Sequence, residues 1–322
     1  MAVSWWAGLF LLAACGWETF WRRKGFIPWV RDDWPAWALA RRCLRLTGRD
    51  AVAVLGASRV QVALDPDILT TLTGQRPVML AIDGASPLAV LADLAADAGF
   101  NGTVICSLMP AWLAEPAGNA DRAAKWIRKS HRLSIGARRR IGFWIACQAR
   151  LACLSPDLTP ARLFSALKAG AWPLPHRAPM TADRFRRLDY RRADIDRLRH
   201  SLEQREKARA AAAHPLTDLF EQRLEQIESS VQAIHGRGGQ VIFLRLPSSG
   251  AVRALEARTW PRSRYWDRLS AATCARTIHF ADYPQLANFE CADGSHLGAE
   301  DRRRFTAALV EILGGKEIEN RK

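Results

Sequence analysis

The sequence lacks any pair of cysteines at the spacing of a zinc ribbon or a redox motif. Its seven cysteines are an odd number and none belongs to a CxxC motif, which excludes a simple zinc ribbon and a dense disulfide framework. Several lie in apolar runs, where cysteine commonly packs as a small hydrophobic side chain. The histidines also lack metal-ligand spacing, so we expect neither a metal nor another cofactor.

Acidic residues are also few, with 32 Asp and Glu against 47 Lys and Arg, and the net charge is +15. Residues 121–214 hold 22 basic and 8 acidic side chains, whereas the rest of the chain is nearly neutral, with 25 against 24. This concentration indicates contact with an anionic glycan or lipid surface. No helix-turn-helix, zinc or RNA-binding signature accompanies the charge, so nucleic acid is not the expected partner.

Long apolar runs are scarce, and 49% apolar with 25% charged residues excludes a disordered, collagen-like or polytopic membrane chain. The one uncharged run, residues 2–16, could extend to Trp21 and predicts an N-terminal membrane anchor with tryptophans at both ends. Alternatively, residues 12–15 fit a lipobox that would lipidate Cys15, or the run is a buried helix. Basic residues 22–24 follow the run, and the positive-inside rule would keep the main domain cytoplasmic.

Short apolar runs bounded by turn residues predict buried parallel strands. Helical patterns separate them at residues 87–94, 217–234 and 299–313. This alternation predicts an α/β fold, namely a three-layer α/β/α sandwich with a five-stranded, mainly parallel sheet. The predicted strands are residues 50–56, 77–82, 103–108, 240–246 and 276–280.

Residues 110–215 interrupt the alternation. They are too many for a crossover loop and too basic for a core, so we expect a largely helical insertion. Residues 182–213 predict one long charged helix, whose acidic side chains can pair with arginines three or four residues away on a solvated face. The predicted domains are a membrane anchor or signal (1–24), the first part of the α/β domain (25–110), the basic insertion (111–215) and the second part (216–322).

Two short motifs predict chemistry. Ser58 lies in the sequence GASR directly after the first predicted strand, where a hydroxyl and backbone N–H groups can face a substrate. Asp293 stands three residues before His296, ahead of the last predicted helix. Asp293 could orient His296, which could take the proton of Ser58, as in a Ser-Asp-His triad. Structural alternatives are a helix cap at Ser58 and a local turn at Asp293.

This arrangement resembles the SGNH (GDSL-like) hydrolase superfamily, which has a nucleophilic serine in its first block and D-x-x-H in its last. The family's second block matches at Gly84, and the resemblance implies an oxyanion hole formed by the N–H groups of Ser58 and Gly84. The third block, G-x-N, has no asparagine here, because Ser107 is followed by Leu-Met-Pro. The resemblance covers roughly residues 50–110 and 216–313 and leaves out the basic insertion.

The N-terminal run, the sequence GASR followed by LDP, and the second block Gly-x-Ser-Pro are similar to the membrane-tethered branch of that superfamily. This branch includes the alginate O-acetylation proteins and the teichoic-acid D-alanine transfer protein, which work beside a membrane-bound O-acyltransferase. The resemblance implies a flavodoxin-like domain at the periplasmic face of the inner membrane, against the charge rule. It also implies a serine O-acyltransferase or esterase that acts on O-acyl groups of a cell-envelope glycan or exopolysaccharide.

Three further residues are candidate substrate contacts. Arg59 and Arg245 lie at predicted strand ends and could bind an anionic group, although ordinary salt bridges are an equal alternative. Ser86 lies in the second block. A rival function is a catalytically silent adaptor with the same fold that binds an anionic glycan or a membrane acyltransferase. A serine-to-imidazole distance far from ~3 Å would favour the adaptor.

Overall fold

The computed structural model describes residues 2–45, 47–48, 51–114, 120–191, 193–212 and 218–314. The predicted strand start at Asp50, His214 and the predicted boundary at residues 215 and 216 lie outside these residues. The strands are β1 (Val52–Leu55), β2 (Val78–Met79), β3 (Thr103–Ser107), β4 (Gln240–Arg245) and β5 (Arg276–His279). The helices are α1 (Ala2–Arg23), α2 (Trp34–Leu44), α3 (Ser58–Ala63), α4 (Pro66–Thr73), α5 (Leu88–Ala96), α6 (Ala111–Ala114), α7 (Ala120–His131), α8 (Ile135–Gln148), α9 (Pro160–Lys168), α10 (Ile195–Ala211), α11 (Asp218–His235), α12 (Gly250–Thr259), α13 (Trp266–Ala272), α14 (Pro284–Ala287) and α15 (Asp301–Gly314).

The five strands form one sheet in the order β2-β1-β3-β4-β5, and every neighbouring pair is parallel. The five predicted strands are confirmed, and the sheet is wholly rather than mainly parallel. From β1 the chain continues to β2 at one edge of the sheet, whereas from β3 it continues through β4 to β5 at the other edge. In doubly wound sheets this reversal opens a crevice at the carboxyl ends of the two strands, where ligands bind.

Side chains along each strand alternate between two separate hydrophobic clusters. Leu55, Cys106 and Phe243 belong to one cluster, together with residues of α2, α5, α11 and α13. Val54 and Ile105 belong to the other, together with residues of α3, α4, α14 and α15. Helices therefore cover both faces of the sheet, which explains why the strands read as continuous apolar runs. Cys106 is a core residue as predicted, whereas Cys147 is only half-buried.

The prediction of one long helix over residues 182–213 is wrong. Residues 180–186 instead form a turn closed by an isolated bridge between Met180 and Arg186. Phe185 is buried in the cluster that contains Val54, and Arg184 has a left-handed backbone with φ of +67°. A helix through this segment would withdraw Phe185 from the core, so tertiary burial overrides the local charge pattern.

The helix itself begins at Ile195, where the Asp194 carboxylate accepts a hydrogen bond from the Arg197 N–H at 3.0 Å. The predicted side-chain pairs are present on α10, including Lys207 with Glu203 at 2.7 Å and Arg209 with Glu206 at 2.8 Å. However, Glu206 is buried. The helix is therefore not solvated on all sides, because this part of it packs against α12.

Within the described chain, no helix is both long enough and apolar enough to cross a membrane. The membrane span predicted from residues 2–21 is therefore not confirmed: these residues lie in the 22-residue helix α1, whose apolar residues are interspersed with small and polar ones such as Gly16, Glu18 and Thr19. Glu18 accepts hydrogen bonds from the backbone N–H groups of Ala152 and Cys153, each at 2.9 Å. The end of α1 is therefore joined to the basic insertion.

Candidate active site

A tight turn after β1 presents Ser58 at the crevice between β1 and β3. Gly56 has φ of +145°, and a Cβ there would lie 2.8 Å from Val60 Cγ1 and 3.0 Å from Ser107 Cβ. Both the conformation and the space therefore require glycine. Ser58 then begins helix α3, so its backbone N–H is one of the donors that a helix leaves unsatisfied at its first turn.

The loop before α15 supplies the other two groups. Asp293 Oδ1 accepts hydrogen bonds from the backbone N–H groups of Ser295 at 2.9 Å and His296 at 2.8 Å. Its Oδ2 lies 2.9 Å from His296 Nδ1. The predicted local turn and the predicted orienting role are thus compatible, because each uses a different oxygen of one carboxylate.

The side chains of Ser58, His296 and Asp293 form one continuous relay. Ser58 Oγ lies 2.9 Å from His296 Nε2. An ionised carboxylate can only accept a hydrogen bond, so the proton of the imidazole ring is assigned to Nδ1, which donates to Asp293. Nε2 is then left to accept a hydrogen bond from the serine hydroxyl. The Tyr190 hydroxyl donates to the His296 carbonyl at 2.9 Å and holds the loop from its other side.

Asp293 is ionised because of this hydrogen bonding. Burial acts to raise its pKa, but the His296 ring and the two backbone N–H groups outweigh that effect and lower the pKa to about 2. The same buried carboxylate lies close to Tyr190. Burial and the Asp293 charge both raise the pKa of the Tyr190 hydroxyl, which keeps it a hydrogen-bond donor.

No protein-family model and no curated protein sequence matches this chain.

The relay opens into a cavity of about 950 Å³ that residues of the basic insertion line together with the sheet. Two of the cations in its wall are paired, since Arg162 contacts Asp157 at 2.5 Å and Arg186 contacts Asp83 at 3.3 Å. Three others have no carboxylate partner within the described residues: Lys24, Arg177 and Arg205. The cavity wall thus carries cationic side chains that no carboxylate of the described residues neutralises by direct contact.

The two predicted oxyanion donors lie in the turns that follow β1 and β2. Gly84 has φ of +64° in the turn after β2, and its neighbour Asp83 lines the same cavity as Ser58. Across the part of the chain that the structure describes, the N–H groups of Ser58 and Gly84 donate to no protein acceptor. Ser107, which stands near the place of the missing asparagine, is buried at the end of β3 and packs against the Gly56 turn.

The three candidate substrate contacts do not line this cavity. Arg59 is buried, and its guanidinium donates from Nε to Ser295 Oγ at 2.8 Å and from Nη2 to Glu256 at 2.6 Å. Arg245 is buried beside it and donates to Glu256 at 2.5 Å. Ser86 Oγ accepts from the backbone N–H of Leu88 at 3.4 Å at the start of α5. Each of these side chains therefore has a partner within the protein, and none of them contacts the cavity that Ser58 lines.

Sequence reasoning missed the buried cluster that Arg59, Arg245 and Glu256 form behind the active site. Burial acts to raise the pKa of Glu256, but the two arginine charges and the Ser248 hydroxyl lower it to about 2. Glu256 comes from α12 and Tyr190 from the segment before α10, so no local motif joins them to the site. Ser295 of the D-x-x-H motif is the one local signal, since it is the residue next to His296 and accepts a hydrogen bond from Arg59.

Among the described residues, no group of three or more His, Cys, Asp or Glu side chains is arranged to hold a metal ion.

Proposed function

We propose that the protein is a serine acyltransferase or esterase that forms an acyl-enzyme on Ser58. The observation that carries this is the relay in which Ser58 Oγ, His296 and Asp293 are joined by two contacts of 2.9 Å. A chance pairing of surface residues would not also place them at the carboxyl end of β1 and in a large cavity.

We further infer a three-layer α/β/α sandwich of the SGNH, flavodoxin-like type. The strand order and the hydrophobic clusters on both faces of the sheet support this assignment. The resemblance of the blocks around Ser58, Gly84 and Asp293 supports it independently.

The reaction follows from which groups donate and which accept. Ser58 Oγ attacks the ester carbonyl, and His296 Nε2 takes the serine proton as the new bond forms. His296 then gives this proton to the leaving alcohol as its bond to the carbonyl breaks, and an acyl-serine remains. Water or a sugar hydroxyl attacks in turn, its proton passes through His296 back to Ser58 Oγ, and the acyl group leaves on the acceptor.

Two backbone groups would stabilise the negative charge on the carbonyl oxygen. These are the N–H groups of Ser58 and Gly84, which have no acceptor within the described chain. Losing one such donor from an oxyanion hole costs on the order of 10²–10³ in rate. We therefore expect a site with two such donors to be slower than one with three.

The substrate class that we propose is an O-acylated cell-envelope glycan at the outer face of the membrane. Lys24, Arg177 and Arg205 in the cavity wall have no carboxylate partner within the described residues, and they support an acidic glycan. The exposed apolar residues of α1 support attachment to a membrane, beside a membrane-bound O-acyltransferase as the donor.

The decisive experiment is covalent labelling of the full-length protein by a serine-directed fluorophosphonate. We expect labelling of the wild type and none of Ser58→Ala, because the phosphonate reacts only with an activated serine. Ser86→Ala is the matched control, since Ser86 is buried outside the cavity, and it should label as the wild type does. Equal labelling of Ser58→Ala and the wild type would contradict the proposal, whereas a folded wild type that never labels would favour the adaptor.

A further inference from the structure

The exposed apolar side chains of the protein are confined to two segments. Among the described residues, every exposed large hydrophobic side chain lies within residues 5–27 or 135–174. Phe143, Phe164 and Leu167 are 73%, 60% and 77% exposed, and Leu12 of α1 is 73% exposed. The sheet and its covering helices contribute none within that part of the chain. Clustered exposed apolar residues of this kind mark an interaction surface rather than ordinary surface scatter.

The two segments are joined to each other. Trp172 packs against Phe20 and Trp21, with ring centroids 6.2 and 6.4 Å apart. Trp21 is buried in a small cluster with Ala152 and Leu158. The Glu18 carboxylate binds the backbone of residues 152 and 153, and Arg22 donates to the Arg150 carbonyl at 2.8 Å. We call the exposed side chains of residues 5–27 and 135–174 together the apolar face.

The charge around the apolar face is mainly positive. Residues 135–174 contain six Lys and Arg and a single acid, Asp157, which is buried. Arg139 and Arg140 are exposed and have no carboxylate partner within the described chain. Apolar side chains with tryptophan and a ring of cations are the composition that binds the interface of an anionic bilayer.

We propose that the apolar face binds the surface of an anionic phospholipid bilayer, with α8 and α9 contacting lipid as well as α1. The catalytic cavity then opens at the bilayer surface, because Lys24, Phe26, Trp172 and Leu174 line it together with Ser58. This binding does not depend on catalysis. It adds a second lipid-contacting element that is remote in sequence from the N-terminal helix.

The test measures partition of the full-length protein onto vesicles of phosphatidylglycerol and phosphatidylethanolamine by flotation. We expect the triple variant Phe143→Ser, Phe164→Ser, Leu167→Ser to partition about tenfold more weakly, since each side chain loses apolar area that lipid would cover. A triple variant of α1, Leu9→Ser, Phe10→Ser, Leu12→Ser, should weaken partition to a similar extent. Partition unchanged in the first variant would overturn the proposal, because α1 alone would then account for binding.

A shape variant separates lipid from a protein partner. Phe143→Leu, Phe164→Leu, Leu167→Phe keeps the apolar character but changes the contour, and a fluid bilayer should bind it within about twofold of the wild type. Loss of vesicle binding in this variant, or no vesicle binding by the wild type, would overturn the bilayer and indicate a protein partner. Thermal unfolding checks that each variant is folded, which is expected because these side chains are exposed.

The charge contribution is tested on vesicles of phosphatidylcholine alone. A basic residue near an anionic surface contributes about 1 kcal/mol to the free energy of binding. The wild type should therefore bind these neutral vesicles about tenfold or more weakly than it binds anionic vesicles. Arg139→Gln, Arg140→Gln should bind anionic vesicles more weakly while its phosphatidylcholine binding is unchanged. Equal wild-type binding to both kinds of vesicle would contradict the anionic part of the proposal.

Discussion

On one side of the turn that carries Ser58, the ionisable groups face a wide cavity; on the other, they are buried and pair with one another. Asp293 and His296 meet the cavity through a half-buried imidazole. Arg59, the residue next to the nucleophile, points away from the cavity and pairs with buried Glu256. The same short turn therefore separates groups placed to move a proton from groups placed to stay fixed.

The difference between the two sides of the turn explains how the geometry of the relay is maintained. Arg59 Nε holds Ser295 Oγ, and these two residues are the neighbours of Ser58 and His296. Because the Arg59 guanidinium is anchored by Glu256, the two catalytic loops are held together behind the reacting atoms. Substitutions on the cavity side should therefore change rate, and those behind it should change stability.

The largest effect is expected on the cavity side. Asp293→Asn should lower the rate of ester hydrolysis by about 10⁴-fold, because an amide cannot hold the Nδ1–H tautomer of His296. Steady-state hydrolysis of an activated ester measures it. Asp282→Asn is the control, since Asp282 forms only an exposed pair with Arg262. A rate within tenfold of the wild type for Asp293→Asn would show that the relay is not used.

Behind the turn, Glu256→Gln should lower the free energy of unfolding by about 3–5 kcal/mol, because two buried arginines lose their counter-charge. Denaturant unfolding measures the loss, and Glu221→Gln in an exposed pair with Arg268 should cost less than ~1 kcal/mol. If Glu256→Gln instead left stability intact and abolished phosphonate labelling, the division between the two sides would be wrong.

The pH dependence of the free energy of unfolding tests the cavity side of the turn in a second way. The Asp293 pKa is lowered from its ordinary value to about 2, so its carboxylate stabilises the fold above that ordinary value and loses the contribution as pH falls toward 2. The stability difference between wild type and Asp293→Asn should therefore shrink by about 2 kcal/mol between pH 6 and pH 2. Unfolding curves at several pH values measure it, and a constant difference would contradict the assignment.

The smallest effect is expected at Tyr190, which touches the loop without facing the reacting atoms. Tyr190→Phe removes one hydrogen bond to the His296 carbonyl and should cost about 1 kcal/mol of stability. The ester hydrolysis rate should fall only a few-fold. A loss as large as that of Asp293→Asn would mean that Tyr190 acts on the substrate directly.

The strands and the two motifs could be predicted because their signals are local. Each strand is a short apolar run, and Ser58, Asp293 and His296 stand directly after a strand or before a helix. The helix α11 begins and ends within two residues of its predicted bounds. Where a helix or strand buries one of its faces, the pattern of apolar residues is enough to predict that element from the sequence.

The turn at residues 180–186 and the buried cluster could not be predicted, because long-range contacts decide them. Arg184 donates to the carbonyls of Met79 and Ala81, about a hundred residues away. The sequence alone makes Arg59 and Arg245 candidate substrate contacts, because it does not show whether an arginine side chain is buried or exposed. The position of Glu256 in the fold shows that both guanidinium groups are paired inside the protein.

The hydrogen bond between Ser58 and His296 joins residues 238 positions apart, and this separation has a consequence for how activity arises during synthesis. All five strands are complete by His279, so a nascent chain that ends there contains the whole sheet and the nucleophile. It has no base and no orienting carboxylate. On the proposed mechanism, the serine therefore becomes reactive only after the last loop is made.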